Sequence, residues 1–236
     1  MLVLVVDTSS AAVTAALVRV DDRIADERVA DDPAVEVLAA RVTVDSRAHG
    51  ERLAPSIAEC LRSTGQTAGD VSAVVGGVGP GPFTGLRVGL VTASVFADAL
   101  GVPTYGVCSL DGIGAMVSAP RGVAPGRVLV AGDARRREVY WAVYVDGTRQ
   151  GEPAVGKPAD VATAAAGCAV MAGAGARLYA DRLGLPLVNW DYPSPVALVG
   201  AALDRLRRRA PAEPLTPLYL RRPDAVEPAP RPVGDR

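Results

Sequence analysis

Two kinds of apolar pattern alternate along the chain. Short β-branched runs, "LVLVV" (Leu2–Val6), "AAVTAALVRV" (Ala11–Val20) and "VEVLAARVTV" (Val35–Val44), are bounded by polar turns and predict three strands. From about His49 to Arg62 the period changes, and Leu53, Ile57, Cys60 and Leu61 recur at the spacing of one helical face. "VSAVVGG" (Val71–Gly77) predicts a fourth strand, which a proline- and glycine-rich loop joins to a helix from Gly85 to Leu100. The order is βββαβα.

A similar order returns after a bridging segment, residues 102–119. "RVLVAGD" (Arg127–Asp133), "EVYWAVYV" (Glu138–Val145) and a weaker run after the Asp146-Gly147 turn predict three strands. Pro158–Ala166 then reads as a helix, Cys168–Ala176 as a buried strand ending in glycines, and Ala176–Gly184 as a further helix. Two βββαβα halves predict a duplicated α/β fold of two lobes, the architecture of the actin-like superfamily of sugar kinases and heat-shock ATPases, where nucleotide lies between the lobes. The lobes fall at residues 1–105 and 106–192. Residues 193–222 hold a last helix, about Pro195–Arg209 with Ser194 as its N-cap, expected to pack back on the first lobe. Arg205 and Arg207–Arg209 in its last turn complement the negative end of the helix dipole. Residues 223–236, rich in proline and charge, are expected to be a disordered tail, and the acidic run from Asp21 to Ala34 a surface hairpin.

Composition narrows the chemistry. With 236 residues, 49% of them hydrophobic, the chain buries a sizeable core, and a net charge of −1 gives it no overall basic field for nucleic acid or an anionic membrane. "MLVLVVDTSS" lacks a basic flank and a long apolar run, so a cytoplasmic protein with no membrane contact is expected. Cys60, Cys108 and Cys168 lie far apart and read as buried, reduced thiols. There is one histidine, His49, and one lysine, Lys157. An H-E-x-x-H pair needs two histidines and a Walker loop needs a lysine beside Ser or Thr, so neither can be built. No metal and no cofactor are expected.

Three features remain. "VGPGPFTGLRVG" (Val78–Gly89) resembles a loop that offers backbone N–H groups to an anion, with Gly79, Pro80, Gly81, Phe83, Thr84 and Arg87 as its structural residues. The strand-end turn "DTSS" could place Asp7 on a metal-bound water and Thr8 and Ser9 on phosphate; with Asp133 and the Gly173 and Gly175 turn it makes a candidate nucleotide cleft. Gly85, Gly89, Ala93 and Ala97 recur every four residues, a small-residue ridge that lets another helix approach closely, whether a partner's or the chain's own.

At "VGPGPFTGLRVGLVTASVFADALGVPTYGVCSLDGI" the sequence resembles the TsaB (YeaZ) family, small bacterial relatives of the TsaD/Kae-type proteins that make threonylcarbamoyladenosine in tRNA. "VDTSSAAVTAALV", "HGERLAPSIAECL", "DARRREVYWAVY" and "PLTPLYLRRPDA" extend the resemblance over almost the whole chain. It implies a cytosolic, non-catalytic subunit that pairs with TsaD and acts with the ATPase TsaE while TsaD transfers threonylcarbamoyl from its adenylate to the adenosine beside the anticodon, in tRNAs reading codons that begin with A. It further implies contact with tRNA only through that complex. The pairing surface would use the first two helices, with His49, Leu53, Ile57, Leu61, Gly85, Gly89, Ala93 and Ala97 in contact, and isolated copies would pair with themselves. TsaD relatives carry H-x-x-x-H on the first helix; here the positions are His49 and Leu53, so the second ligand is gone. The family loop commonly has serine where this chain has Pro82, which removes a hydroxyl and a backbone donor from an anion cradle. The alternative reading is a nucleotide phosphohydrolase or kinase using Asp7 and Asp133 with a metal ion.

Overall fold

The structure is a computed structural model that describes residues 1–21, 35–118 and 126–221. The expected acidic hairpin and the tail from 223 onward lie outside the described residues. The first lobe runs β1 (Leu2–Asp7), β2 (Ala12–Val20), β3 (Val35–Val44), α1 (His49–Thr64), β4 (Ala73–Gly79), α2 (Phe83–Leu100) and β5 (Thr104–Cys108), from which α3 (Ser109–Ser118) leads onto the second sheet. Its sheet has the order β3-β2-β1-β4-β5, with β1–β2 and β2–β3 antiparallel and β1–β4 and β4–β5 parallel.

β1 is the centre of this sheet and shows why. Successive strand residues point to opposite faces, and both faces of β1 are apolar. Val3 and Val5 pack with Leu198, Val199, Ala202 and Leu206 of α7 (Pro195–Arg207), while Leu4 and Val6 pack with Leu53, Ile57 and Cys60 of α1 and Ala93 and Ala97 of α2. The last helix thus covers one face of the first sheet, and α1 and α2 cover the other. The Ser194 hydroxyl accepts from the Ala197 N–H at 3.2 Å and caps α7.

The second sheet, β8-β7-β6-β9, is formed by β6 (Arg127–Asp133), β7 (Val139–Val145), β8 (Thr148–Gly156) and β9 (Val170–Ala172). It repeats the logic of the first: Val128 and Val130 face a cluster with α3, and Leu129 and Ala131 face one with α4 (Pro158–Ala164) and the short α5 (Ala174–Leu178) and α6 (Ala180–Leu183). All three cysteines are buried and free, and burial pushes the Cys108 thiol up to about 12.

Three sequence expectations are corrected. The bridging segment holds β5 and α3. Gly112 and Gly114 sit inside α3 where it packs closely: a Cβ on Gly112 would lie 2.7 Å from Pro193 and one on Gly114 2.4 Å from the Tyr144 ring. The buried strand expected over Cys168–Ala176 is only Val170–Ala172, since Gly173 at φ +107° leaves the strand and Ala174 starts a helix. The helix expected over Ala176–Gly184 is two short ones parted at Tyr179, φ −120°.

From Ala210 to Arg221 an extended strap returns across the first lobe to the second. The Glu213 N–H donates to Thr104 O at 2.9 Å, the Leu218 N–H to Val78 O at 2.8 Å, and the Arg221 guanidinium to Ala134 O at 2.9 Å. Leu215 and Leu218 pack with Val78, Leu86 and Leu90.

Candidate functional site: the interlobe cleft

Where the ends of β1, β4 and β6 converge, a cleft of about 550 Å³ opens between the lobes. Ser9 and Pro82 line it from the first lobe, Asp133, Arg135 and Tyr140 from the second, and Ser109 at the start of α3 lines it between them. Its size is that of an ordinary small-molecule site. The details at the phosphate end are less ordinary.

Asp7 is fully enclosed at the end of β1. Its Oδ1 accepts the Ser9 N–H at 2.7 Å, while among the described residues Oδ2 has no hydrogen bond of ordinary geometry. Ser109, at the start of α3 and on the cleft wall, sets its hydroxyl near this carboxylate and helps to hold its pKa down. Loss of water raises the Asp7 pKa above the usual carboxylate value, offset in part by the backbone and hydroxyl contacts of Ser9. The space for this carboxylate is made by Gly77: a Cβ there would lie 2.5 Å from Asp7 Cγ. The sequence reading took Gly77 as the end of a strand; the glycine pair closing an apolar run was the available signal that something approached.

Thr8 is turned away from the cleft. Its hydroxyl donates to Gly85 O at 2.7 Å, and a Cβ on Gly89 would lie 2.2 Å from Thr8 Oγ1. The expected phosphate donor is therefore occupied within the chain, a correction to its assignment. His49 is also held internally. Its Nε2 lies 2.7 Å from Ser10 O, which can only accept, so that nitrogen carries a proton. The ring sits 3.2 Å from where a Gly85 Cβ would be.

These contacts correct the expected partner surface. The Gly85, Gly89, Ala93 and Ala97 ridge is buried against Thr8, His49 and the core, and Leu53 and Ile57 are buried with it; Leu61 is half-buried at the edge of the same cluster. The ridge allows a close approach, and the approaching group is the chain's own β1–β2 turn. The outward side of α2 carries Val91 and Val95, 60% and 61% exposed, between Arg87 and Asp98; the outward side of α1 includes Ala54 and Ala58.

The loop after β4 forms one wall of the cleft beside the β1–β2 turn. The Gly79–Pro80 peptide is cis, and Gly81 lies so near Ser9 that a Cβ would come within 2.0 Å of Ser9 O. Tyr140 of the second lobe donates to Gly81 O at 3.5 Å across the cleft. α2 begins at Phe83, with Pro82 as its N-cap residue, two residues earlier than expected. Phe83, Thr84 and Arg87 are exposed on its first turn.

In the second lobe, Asp133 lines the cleft, where its Oδ1 accepts the Arg135 N–H at 2.8 Å. Gly173 and Gly175 do not line the cleft, and Cβ atoms there would meet Ala131 O at 2.3 Å and Gly132 O at 2.4 Å. These glycines let α5 sit directly on the β6 backbone, which corrects their place in the nucleotide cleft. Ala174 between them does line it.

The two lobes, with sheet order β3-β2-β1-β4-β5 repeated in part by β8-β7-β6-β9, define an actin-like α/β fold. Residues 37–218 match the family described as "TsaD: tRNA N6-adenosine threonylcarbamoyltransferase", and the chain belongs to that family, in its TsaB (YeaZ) branch. The structure superposes on YeaZ from Pseudomonas aeruginosa with a TM-score of 0.72 at 28% identity, covering 93% of this chain and 99% of that one. An uncharacterized protein of Mycobacterium tuberculosis is 48% identical over 224 residues, 94% of this chain and 93% of the relative. The tRNA threonylcarbamoyladenosine biosynthesis protein TsaB of Escherichia coli is 38% identical over 98 residues, 42% of each. Together these support a role in tRNA threonylcarbamoyladenosine biosynthesis.

Proposed function

We propose that the chain is a non-catalytic, cytosolic activating subunit of a TsaD-type threonylcarbamoyl transferase, acting alongside a TsaE-type ATPase and meeting the transferase through the outward faces of α1 and α2. The observation that carries this reading is the packing of Gly81 on Ser9, which sets the loop after β4 directly against the turn that a kinase or hydrolase would keep free for phosphate. Leu53 supports it as well. That position, one turn beyond His49, is a ligand in the H-x-x-x-H relatives and here is an apolar side chain 1% exposed. The phosphohydrolase or kinase reading would need Thr8 and Ser9 free for phosphate, whereas Thr8 is bonded to Gly85.

Pairing fits the surface of α2. Two valines one turn apart, each more than half exposed, form an apolar strip on the side of α2 opposite its buried Gly85, Gly89, Ala93 and Ala97. The same strip would let isolated copies pair.

Mixing the chain with its transferase and measuring complex mass and tRNA modification tests the reading. The expected result is a stable complex and a transferase that modifies tRNA faster than alone, while the chain alone, given threonylcarbamoyl-adenylate, modifies none. Modification by the isolated chain, or a transferase indifferent to it, would overturn the proposal.

A further inference from the structure

A second surface lies at the mouth of the cleft and runs into the outward strip of α2, on which Arg87 stands one turn before Val91. On the second lobe, Arg135, Arg136 and Arg137 are consecutive, exposed, and all left-handed, with φ of 59°, 54° and 61°. Such a backbone costs about 1–2 kcal/mol for each non-glycine residue, so it persists because its surroundings impose it. Ala134 N–H donates to Glu138 O at 3.1 Å, Glu138 N–H to Arg135 O at 3.0 Å, and Arg135 N–H to Asp133 Oδ1. The result is one tight turn bearing a guanidinium at each of three successive positions.

On the first lobe, Phe83 and Tyr219 stack with ring centroids 5.2 Å apart while remaining 41% and 42% exposed. The Arg87 guanidinium lies 3.7 Å over Phe83 and donates through Nε to the Tyr219 hydroxyl at 2.9 Å. The strap joins the two parts: two residues past Tyr219, Arg221 is bonded to Ala134 O and ion-paired with Glu138, at the base of the arginine turn. Pro82 and Arg135 line the same cleft, so both parts stand on its lips.

Five arginines of this surface, residues 87, 135, 136, 137 and 221, stand against two carboxylates, Asp133 and Glu138, in a chain whose net charge is −1. The positive charge is local and is set beside exposed aromatic rings. Guanidinium groups recognise phosphate by shape and charge, and exposed rings take unstacked bases. A duplex, with its bases stacked inside, would use only the arginines.

We propose that this surface binds a single-stranded segment of RNA, the arginine turn holding phosphates and the Phe83–Tyr219 pair stacking a base. The proposal rests on the reading that the chain serves a tRNA-modifying transferase, and it adds that the subunit itself touches the RNA.

The test is a titration of a fluorescent anticodon stem-loop RNA onto the full-length chain, alone and mixed with the transferase, over a salt series. The variants are Arg136→Gln/Arg137→Gln and, separately, Tyr219→Ala. For the double variant the slope of log affinity against log salt should fall by about 1.4, two phosphate contacts at roughly 0.7 each. Tyr219→Ala should weaken binding about tenfold through the lost stacking. Both variants should form the complex with wild-type mass. Unchanged affinity and salt slope in both variants would overturn the proposal, as would variants that bind RNA normally and lose the transferase, which would make this a protein interface. Failure of the wild-type chain to pair with the transferase would instead sink the pairing proposal, and the titration on the chain alone would still decide this one.

Discussion

The Thr8 hydroxyl donates to the Gly85 carbonyl oxygen over 2.7 Å, and it does so from a notch that exists only because residue 89 has no side chain. A Cβ at Gly89 would stand 2.2 Å from Thr8 Oγ1 and 3.2 Å from Thr8 Cβ. The turn after β1 is thereby fixed on α2, and the residue an actin-like enzyme would turn toward phosphate is committed to the chain's own helix.

Gly89→Ala tests this notch. Alanine favours a helix interior over glycine by about 1 kcal/mol, so without the clash the substitution would stabilise the protein. The expectation is destabilisation by roughly 1–3 kcal/mol in urea unfolding, from overpacking. Thr8→Ala removes the clashing oxygen, and costs about 1 kcal/mol on its own for the lost hydrogen bond. The two together should be less harmful than their sum, by an interaction of about 0.5–3 kcal/mol. Strict additivity would mean that Thr8 and Gly89 do not meet.

Asp7 makes a prediction in pH. Burial raises its folded pKa above the ordinary carboxylate value, so the native state holds the proton to higher pH than the unfolded chain does. This contribution to stability is fully present below the ordinary carboxylate pKa and is lost as pH rises through the raised one. Asp7→Asn keeps the shape and an acceptor for the Ser9 N–H but cannot ionise. Unfolding free energies measured from about pH 4 to about pH 8 should therefore fall more for the natural chain than for Asp7→Asn, the gap widening upward. Parallel curves would show that Asp7 is not desolvated.

The sheets and major helices of both lobes were legible because each strand of β1, β2 and β6 is a β-branched run and α1 has a single apolar face. The features that escaped are those in which glycine serves packing. Gly112 and Gly114 hide α3, and Gly173 and Gly175 suggest a ligand loop when what they admit is the β6 backbone. The four-residue ridge of α2 announces a close approach in sequence, yet spacing carries no information on whose atoms approach. The strap was illegible for another reason: residues 210–221 have no periodic pattern, and their order comes from bonds to Thr104, Val78 and Ala134 that are distant in sequence.

That strap is open to direct measurement. Leu215 lies 3.0 Å from where a Gly76 Cβ would be, and Leu218 joins Val78, Leu86 and Leu90. Both leucines are half-buried, so truncation should cost less than in a closed core. Leu215→Ala and Leu218→Ala are each expected to lower stability by about 1–2 kcal/mol, below the roughly 2–5 kcal/mol of fully buried sites. Hydrogen exchange should rise along residues 213–219 in both. A protein indifferent to the two changes would show that the strap is held by its backbone bonds alone.

The outward face of α2 gives the sharpest test of pairing. Val91 and Val95 are 60% and 61% exposed, so Val91→Asp and Val95→Asp should change the stability of the isolated chain by no more than about 0.5 kcal/mol, as surface substitutions do. In a closed apolar interface the same carboxylates are stripped of water without a partner, a penalty of about 3–5 kcal/mol. Affinity for the transferase should then fall at least a hundredfold, and activation with it. Arg182→Asp, exposed on α6 of the other lobe, reverses a charge away from this face and should leave affinity unchanged. Isothermal titration of each variant into the transferase separates the outcomes: full affinity for Val91→Asp and Val95→Asp would move the partner to another face, and reduced thermal midpoints would place these valines in the chain's own packing.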